Sequence, residues 1–285
     1  MRMLKNNPGF PLKESKRELK KACEEYWGGK SDKFHLEQTV QHLRYQNWQL
    51  QLQAGIDLIP CNDFSYYDHV LDMSLLLGVI PSRYTPILTD IKGNTELDLY
   101  FAMARGYQKD GLDIKAMEMI KWFDTDFHYV VPEFTADQSF KLFSNKLFSE
   151  YTFAKQLLGE KAKPVIIGPV SYLLLGKEKE NGFQKIELIK QLVPVYIEIL
   201  NKLKSLGAVW VQLEEPFLAL AFTSAEKQAF EWAYNEIKKK CFGIKILLTT
   251  YFEGLRDNIE FATKLQNEAL HIDLVRAPKH LECLS

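Results

Sequence analysis

Ala208-Val209-Trp210-Val211-Gln212-Leu213, closing on Glu214-Glu215-Pro216, is the stretch on which the fold turns. It is short and almost continuously apolar, the pattern of a strand covered on both faces rather than one. A long helical pattern, Ile186 to Leu206, precedes it, and another, Ala225 to Lys240, follows behind a capping box of Thr223 and Glu226. The unit repeats downstream as strand Ile244 to Leu248, helix Leu255 to Ala269 and strand Leu270 to Val275. Parallel neighbours need a crossover between them, and helices alternating with doubly buried strands supply it.

Upstream the same alternation holds. Strands are predicted at Asp57 to Ile59, Phe127 to Val131 and Pro164 to Ile167, with a weaker one at Gly9 to Leu12. Helices are predicted at Ser15 to Trp27, Lys33 to Ala54, Tyr67 to Leu77 and Ile114 to Trp122. Ser15 and Glu18 form a capping box for the first, Leu19, Ala22, Cys23 and Tyr26 mark its buried face, and Gly28-Gly29 stop it. Gly55 suits a left-handed position after the second. Pro194 is expected to kink or split the long helix near Leu192. Pro81 to Tyr100 is the least regular stretch and reads as a long loop over one end of the sheet. No linker divides residues 1–285, so one domain is expected, an α/β (β/α)8 TIM-type barrel, for which about 250 residues is typical. Counting strands gives seven, and ten residues follow Val275. Another βα unit would need roughly 30 residues, so the barrel is expected to be one strand–helix unit short, a truncated domain.

Composition narrows the function. The 36 basic and 37 acidic residues leave a net charge of -1, which argues against a general nucleic-acid or membrane-surface binder. Any anionic ligand then needs a local cluster of charge. The cysteines Cys23, Cys61, Cys241 and Cys283 lie far apart and suggest reduced thiols. Neither a signal peptide nor a run of roughly 18 apolar residues is present, so a cytoplasmic protein is expected.

Three constellations could carry chemistry. Glu214 and Glu215 end a buried strand, the position where barrels place their sites, and could serve a hydrolase. Adjacent strand residues point to opposite faces, however, and a strand-end acid can equally bond neighbouring loop amides. His271-x-Asp273 and His280-x-x-Cys283 supply at most two metal ligands each, and His128 belongs to no recognisable set, whereas zinc needs three or four. The third is Lys16-Arg17-Glu18-Leu19-Lys20-Lys21. Arg17, Lys20 and Lys21 are spaced to share a helix face. Cations at a helix N-terminus are intrinsically unfavourable by about 0.3–1 kcal/mol. Their clustering there suits an anion binder, although a solvated basic face has the same pattern.

A series of ordered motifs then resembles one family. Gly9-Phe10-Pro11 and the basic segment lead to Tyr26-Trp27, followed by Ala54-Gly55-Ile56-Asp57-Leu58-Ile59-Pro60, Asn62-Asp63-Phe64 and Tyr67-Asp68. Tyr100-Phe101-Ala102-Met103-Ala104-Arg105-Gly106, Lys121-Trp122-Phe123-Asp124-Thr125, Gly168-Pro169-Val170-Ser171 and Glu215-Pro216 complete it. Together they resemble the N-terminal barrel of cobalamin-independent methionine synthase, across almost the whole chain.

The resemblance implies a methyltransferase of methionine biosynthesis, moving a methyl group from 5-methyltetrahydropteroyltri-L-glutamate to L-homocysteine. It implies two barrels, of which the C-terminal one carries catalytic zinc and the N-terminal one helps hold the folate polyglutamate tail. The tail-binding segment maps onto Arg17, Glu18, Leu19 and Lys20, with Lys121 as a further contact. The zinc ligands do not carry over: the corresponding positions are Thr249, Tyr251 and Val275. This chain is therefore expected to have no metal cofactor and no methyl transfer of its own, with a catalytic C-terminal barrel as partner. It departs from the family at Leu12, Lys13 and Glu14, where an Arg is lost, and at Asp126, where a carboxylate replaces Asn; both changes disfavour an anionic tail. A stand-alone folate-polyglutamate binder or regulatory module, and an independent barrel hydrolase using Glu214 or Glu215, are the alternatives.

Overall fold

A computed structural model describes residues 3–10, 17–89, 93 and 95–284, with the backbone alone at 283 and 284. Five parallel strands form the central sheet: β1 (Ile59–Cys61), β2 (Ala162–Ile167), β3 (Trp210–Glu214), β4 (Lys245–Thr249) and β5 (Ala269–His271). They hydrogen-bond in chain order, with Val165 and Leu247 flanking Gln212 on either side. All six residues of β2 are buried, as double-faced cover requires. Parallel strands in chain order with helical crossovers make an α/β fold of the TIM-barrel type. Among the described residues the ladder is open.

Beyond β1 the sheet gains one more member from the N-terminal arm. Asn6 bridges Leu58 in parallel, and the Lys5 carbonyl accepts from the amides of Asp57 and Leu58 at 2.9 and 3.0 Å. The weak strand expected at Gly9 to Leu12 is thus displaced: the pairing sits at Asn6, before Pro8, which has no amide to donate. Pro11 and Leu12 lie outside the described residues.

Several expectations are corrected. Ile114 to Trp122 is not a helix: Leu112–Ile114 pairs antiparallel with Tyr107–Lys109, and Met119–Lys121 with His128–Val130. The first hairpin turns on Asp110-Gly111, both at positive φ (56° and 79°), the Asp-Gly signature of a type I′ turn. The expected strand at Phe127 to Val131 therefore belongs to a hairpin and not to the main sheet. Pro194 neither splits nor interrupts Ile189–Ser205. Leu192, Val193, Val195 and Tyr196 around it are buried, and their packing offsets the missing hydrogen bond. The last helix shrinks to a 3-10 turn, Arg256–Asn258, and Ile259–Lys264. The last strand stops at His271 because Asp273 takes the amides of Val275 and Arg276 (2.9 and 3.0 Å) and turns the chain. The supposed loop of Pro81 to Tyr100 contains the start of a helix, Glu96–Arg105, opened by a capping box of Thr95 and Asp98. The helix Lys146–Leu158 was not anticipated.

Of the first three helices only the third reaches the site. α1 (Glu18–Trp27) packs Leu19, Ala22 and Cys23 inward. Its start is preceded by Arg17 in the left-handed region at φ 54°, and Ser15, the expected cap, lies outside the described residues. α2 (Lys33–Gln53) is capped by the Asp32 carboxylate on the His35 amide, and Gly55 follows at φ 72°. α3 (His69–Leu76) is capped by Asp68, which accepts from Val70 and Leu71. No helix among the described residues is long and apolar enough to cross a membrane.

Candidate functional site

The C-terminal ends of the strands surround a cavity of about 400 Å³. After β1, Asn62 adopts φ 61°, held by its amide on Glu150 Oε1 (2.7 Å) and its Nδ2 on the Val165 carbonyl (2.9 Å). That turn brings Asp63 to the rim, where Oδ2 accepts from the Phe10 amide at 2.8 Å. Asp68, Asp72 and His69 line the wall from α3 and its cap. Trp122, Phe127 and His128 come from the hairpin, and Tyr251, Phe252 and His271 from the ends of β4 and β5.

Strand alternation decides the two glutamates. Glu214 faces the cavity, where Oε2 accepts from the Tyr251 hydroxyl (2.8 Å) and Oε1 from Gln212 Nε2 (2.9 Å). Gln212 also donates to the Pro8 carbonyl (2.7 Å) and accepts from Lys163 Nζ. Lys163 is 0% exposed and ties down the arm through Asn6 Oδ1 (2.6 Å) and the Asn7 carbonyl (2.9 Å). Glu215 is fully buried elsewhere, accepting from the amides of Val170 (3.3 Å) and Ser171 (2.7 Å) and from the Tyr234 hydroxyl (3.0 Å). It anchors the N-terminus of Pro169–Leu175, the position where helix dipole and carboxylate attract. A Cβ at Gly168 would run into its carboxyl group. Glu215 thus bonds loop amides and is not a cavity acid.

Burial sets the protonation states. It pushes Glu214 up to about 7, Asp68 up to about 7 and Asp63 up to about 6. Desolvation lowers His69 to about 4, which keeps its ring neutral beside Trp122 (centroids 4.5 Å apart). It also lowers Lys163 to about 8, against the attraction of Glu214, Asp63 and Cys61. Several acids able to exchange a proton near neutrality therefore face one aromatic cavity.

The residues singled out for an anionic tail lie away from its lining. Arg17, Glu18 and Lys20 are exposed at the head of α1, whereas Leu19 is buried in the core. Arg17 stands outside the helix, so it does not share the regular helical face of Lys20 and Lys21. Those two pair with Glu24 (3.7 Å) and Glu25 (3.9 Å) one turn on. Lys121 is exposed on the hairpin, next to the cavity residue Trp122. Asp126 is exposed on the same hairpin; Leu12, Lys13 and Glu14 lie outside the described residues. Cavity residues missed as site candidates were Asp63, Asp68, Trp122 and Tyr251. Asp63 had a readable signal, an acid in the turn that follows the predicted strand Asp57 to Ile59.

The metal-ligand candidates are engaged otherwise. The His271 ring meets the Thr250 carbonyl at 3.0 Å, Asp273 holds its own turn, and the two ring nitrogens of His280 lie against the amides of Leu255 and Arg256 (both 3.4 Å), one of them able to accept. The side chain of Cys283 is outside the described residues. Among the described residues no three His, Cys, Asp or Glu side chains converge on a metal position. At Thr249, Tyr251 and Val275, which the resemblance sets against zinc ligands, stand a buried hydroxyl, a phenol bonded to Glu214 and an aliphatic side chain. None is an imidazole, thiolate or carboxylate donor, so they do not fit zinc.

Comparison with known proteins places these features. Residues 4–285 match the family model described as cobalamin-independent synthase, N-terminal domain. A 5-methyltetrahydropteroyltriglutamate–homocysteine methyltransferase of Cytophaga hutchinsonii is 53% identical over 279 residues, 98% of this chain and 36% of the relative. The same enzyme of Flavobacterium johnsoniae is 53% identical over 280 residues, with the same coverage, and that of Nitrosomonas europaea 48% over 286 residues. The chain thus spans about a third of the length of the curated relatives it matches. Among solved structures, a candidate vitamin-B12-independent methionine synthase from Listeria monocytogenes matches at TM-score 0.62 and 12% identity, over 95% of this chain and 74% of that one. A B12-independent methionine synthase from Shewanella, in complex with selenomethionine, matches at TM-score 0.52 and 15% identity, over 83% and 58%. At such identities these two speak for the fold.

Proposed function

Since the chain belongs to the cobalamin-independent synthase family through that family's N-terminal domain, we propose that it holds the polyglutamate tail of a methyltetrahydrofolate for methyl transfer to homocysteine. The methyl transfer and its zinc reside in a catalytic barrel outside these residues, and the 285-residue chain alone transfers no methyl group. It works in the cytoplasm, where the substrate and reduced thiols are found.

The observation that carries this reading is the exposed basic segment at the head of α1. Leu19 is buried, which fixes the helix start against the core, while Arg17 and Lys20 stay in solvent on either side of it. A γ-glutamyl tail is a string of carboxylates, and charge-assisted bonds from Arg and Lys are the strong kind. The positive end of the α1 dipole adds to the attraction. Lys121, on the hairpin bordering the cavity, is a second contact. Glu18 sits in the first turn, where a carboxylate stabilises the helix that presents the cations.

The reading is tested by titrating the chain with pteroyl-tri-γ-glutamate. Arg17→Ala and Lys20→Ala are each expected to weaken binding by about two- to fivefold, as exposed charge contacts do. Unchanged affinity in both variants would contradict the tail-binding role. Methionine formed from homocysteine by the purified chain would contradict the division of labour.

A further inference from the structure

The hairpin that borders the mouth cavity is held in the manner of a movable part. We propose that its tip, Lys121 to His128, is a lid that swings over the mouth and is latched shut by the ion pair of Asp124 with Arg276. The base stands on the side of β1 and β2, where the Val130 amide donates to Asp68 Oδ2 (3.0 Å) and the Tyr129 hydroxyl to the Leu175 carbonyl (3.0 Å). The tip reaches the opposite rim. Phe123 meets the rings of Phe217 and Phe252, which follow β3 and β4 (centroids 5.5 and 6.4 Å away), and Asp124 pairs with Arg276, which follows β5 (2.5 Å). Trp122, Phe127 and His128 form the underside and line the cavity.

Base and tip are held by different forces. At the base Tyr129 and Val130 are buried, and the Val131 amide donates to the Glu118 carbonyl (2.9 Å). Beyond it the tip satisfies its own backbone: the amides of Trp122, Thr125 and Phe127 donate to the Phe127 carbonyl (2.7 Å), the Trp122 carbonyl (3.1 Å) and the Thr125 hydroxyl (3.2 Å). The tip therefore keeps its shape as a unit. Its contacts with the far rim, rings and an exposed ion pair, can part without unfolding it. Such a pair contributes little and is screened by salt, so the latch is weak and adjustable.

Backbone strain sits where lid and rim touch. Phe123 in the tip and Phe252 on the rim both occupy the left-handed region (φ 50° and 62°), which is unusual for a bulky side chain. Such conformations persist only where the surroundings over-determine them, and they cluster at switch regions. Here the surroundings are the closed contact itself. The two rings lie together, and the Arg276 guanidinium, 5.5 Å from the Phe252 centroid, joins the latch to the same cluster. Parting them removes what holds both conformations in place. The closed lid keeps Trp122 at 5% exposure among the rings of His69, Phe123, Tyr129 and Tyr251. An open lid takes Trp122 out of that cage, admits solutes to the cavity and carries the adjoining Lys121 away from the mouth.

The lid does not rest on the tail-binding reading, and its test needs no folate or glutamate. The chain has five tryptophans, so isotope labelling gives five indole N–H signals, and Trp122→Phe identifies the one that matters. Relaxation dispersion on the indole nitrogens reads microsecond-to-millisecond exchange. Exchange is expected at Trp122 and not at Trp48, whose indole donates to the Pro60 carbonyl (3.1 Å) in the core. Arg276→Gln and Asp124→Asn should each raise the open population by about two- to fivefold, the range of an exposed ion pair, and salt at about 0.5 M should do the same. The double variant should add nothing further, and Arg276→Lys should stay near the parent. Both side chains face solvent, so the fold survives these changes. A Trp122 curve unaltered by either substitution would overturn the proposal. So would exchange at Trp48 as large as at Trp122, or two substitutions whose effects simply add.

Discussion

Lys163→Met probes the barrel interior through a slope rather than a level. The side chain is fully buried, and its ammonium holds Asn6, Asn7 and Gln212. Methionine nearly conserves its volume. Removing the charge relieves the cost of burying an ammonium but leaves three acceptors without that donor, so the two effects oppose each other at any single pH. The pH dependence is unambiguous. Burial lowers Lys163 from 10.5 to about 8, so between those values the unfolded chain binds a proton that the folded chain has released. Stability then rises with pH. Each tenfold in proton affinity is 1.36 kcal/mol. The whole displacement is therefore worth about 3 kcal/mol, of which about 2.5 kcal/mol falls between pH 7.5 and 10. Asp63 titrates below that window and Glu214 at its lower edge, burial lowers His271, and burial raises Cys61 well above its usual value, so the upper part of the window belongs to Lys163. Buried tyrosines affect both chains alike. Urea unfolding of the two proteins, followed by circular dichroism at several pH values across the window, should show the unaltered chain gaining about 2.5 kcal/mol over the variant. A difference that stays flat to within about 0.5 kcal/mol would refute the reasoning.

Two further perturbations address the glutamates. Gly168→Ala drives a methyl group into the Glu215 carboxyl and should destabilise the fold by about 3 kcal/mol, through overpacking and loss of buried charge-assisted bonds; a change in melting below about 0.5 kcal/mol would show that Glu215 can shift without cost. Glu214→Gln keeps the acceptor for Tyr251 and removes a carboxyl group that burial raises from 4.5 to about 7. A raised acid loses stability as pH climbs from 4.5 to 7. The variant should therefore gain on the parent over that interval, by about 2–3 kcal/mol, and run parallel to it above; parallel curves throughout would count against it.

The readable part of the molecule was the part whose signal is local. The continuous apolar character of Val165 to Ile167 and Ile246 to Leu248 announced doubly covered strands, and Thr223 with Glu226 announced a helix start that the structure keeps. The Ile114 to Trp122 error was also local: Ile114 and Met117 fit a helical period, but Asp110-Gly111 had already marked a hairpin. Glu96–Arg105 was obscured because its flank, Pro81 to Thr89, is itself a 3-10 turn and a short helix. The basic segment was legible as charge. Its phase was not, because Arg17 takes a left-handed conformation that helical spacing does not anticipate.

The sequence by itself determined the α/β class and the family, since periodicity, capping residues and ordered motifs are properties of neighbouring residues. Only the tertiary structure decided that Asp63, Trp122, Glu214 and Tyr251 share one cavity, and that Met119–Lys121 pairs with His128–Val130. It also decided that a lysine on β2 secures the arm at Asn6, 157 residues away in the chain. Strand alternation could say that Glu214 and Glu215 face opposite ways. Which of them meets the cavity depended on the register of β3 between β2 and β4, and register is set by long-range packing, where a one-residue slip exchanges the two faces.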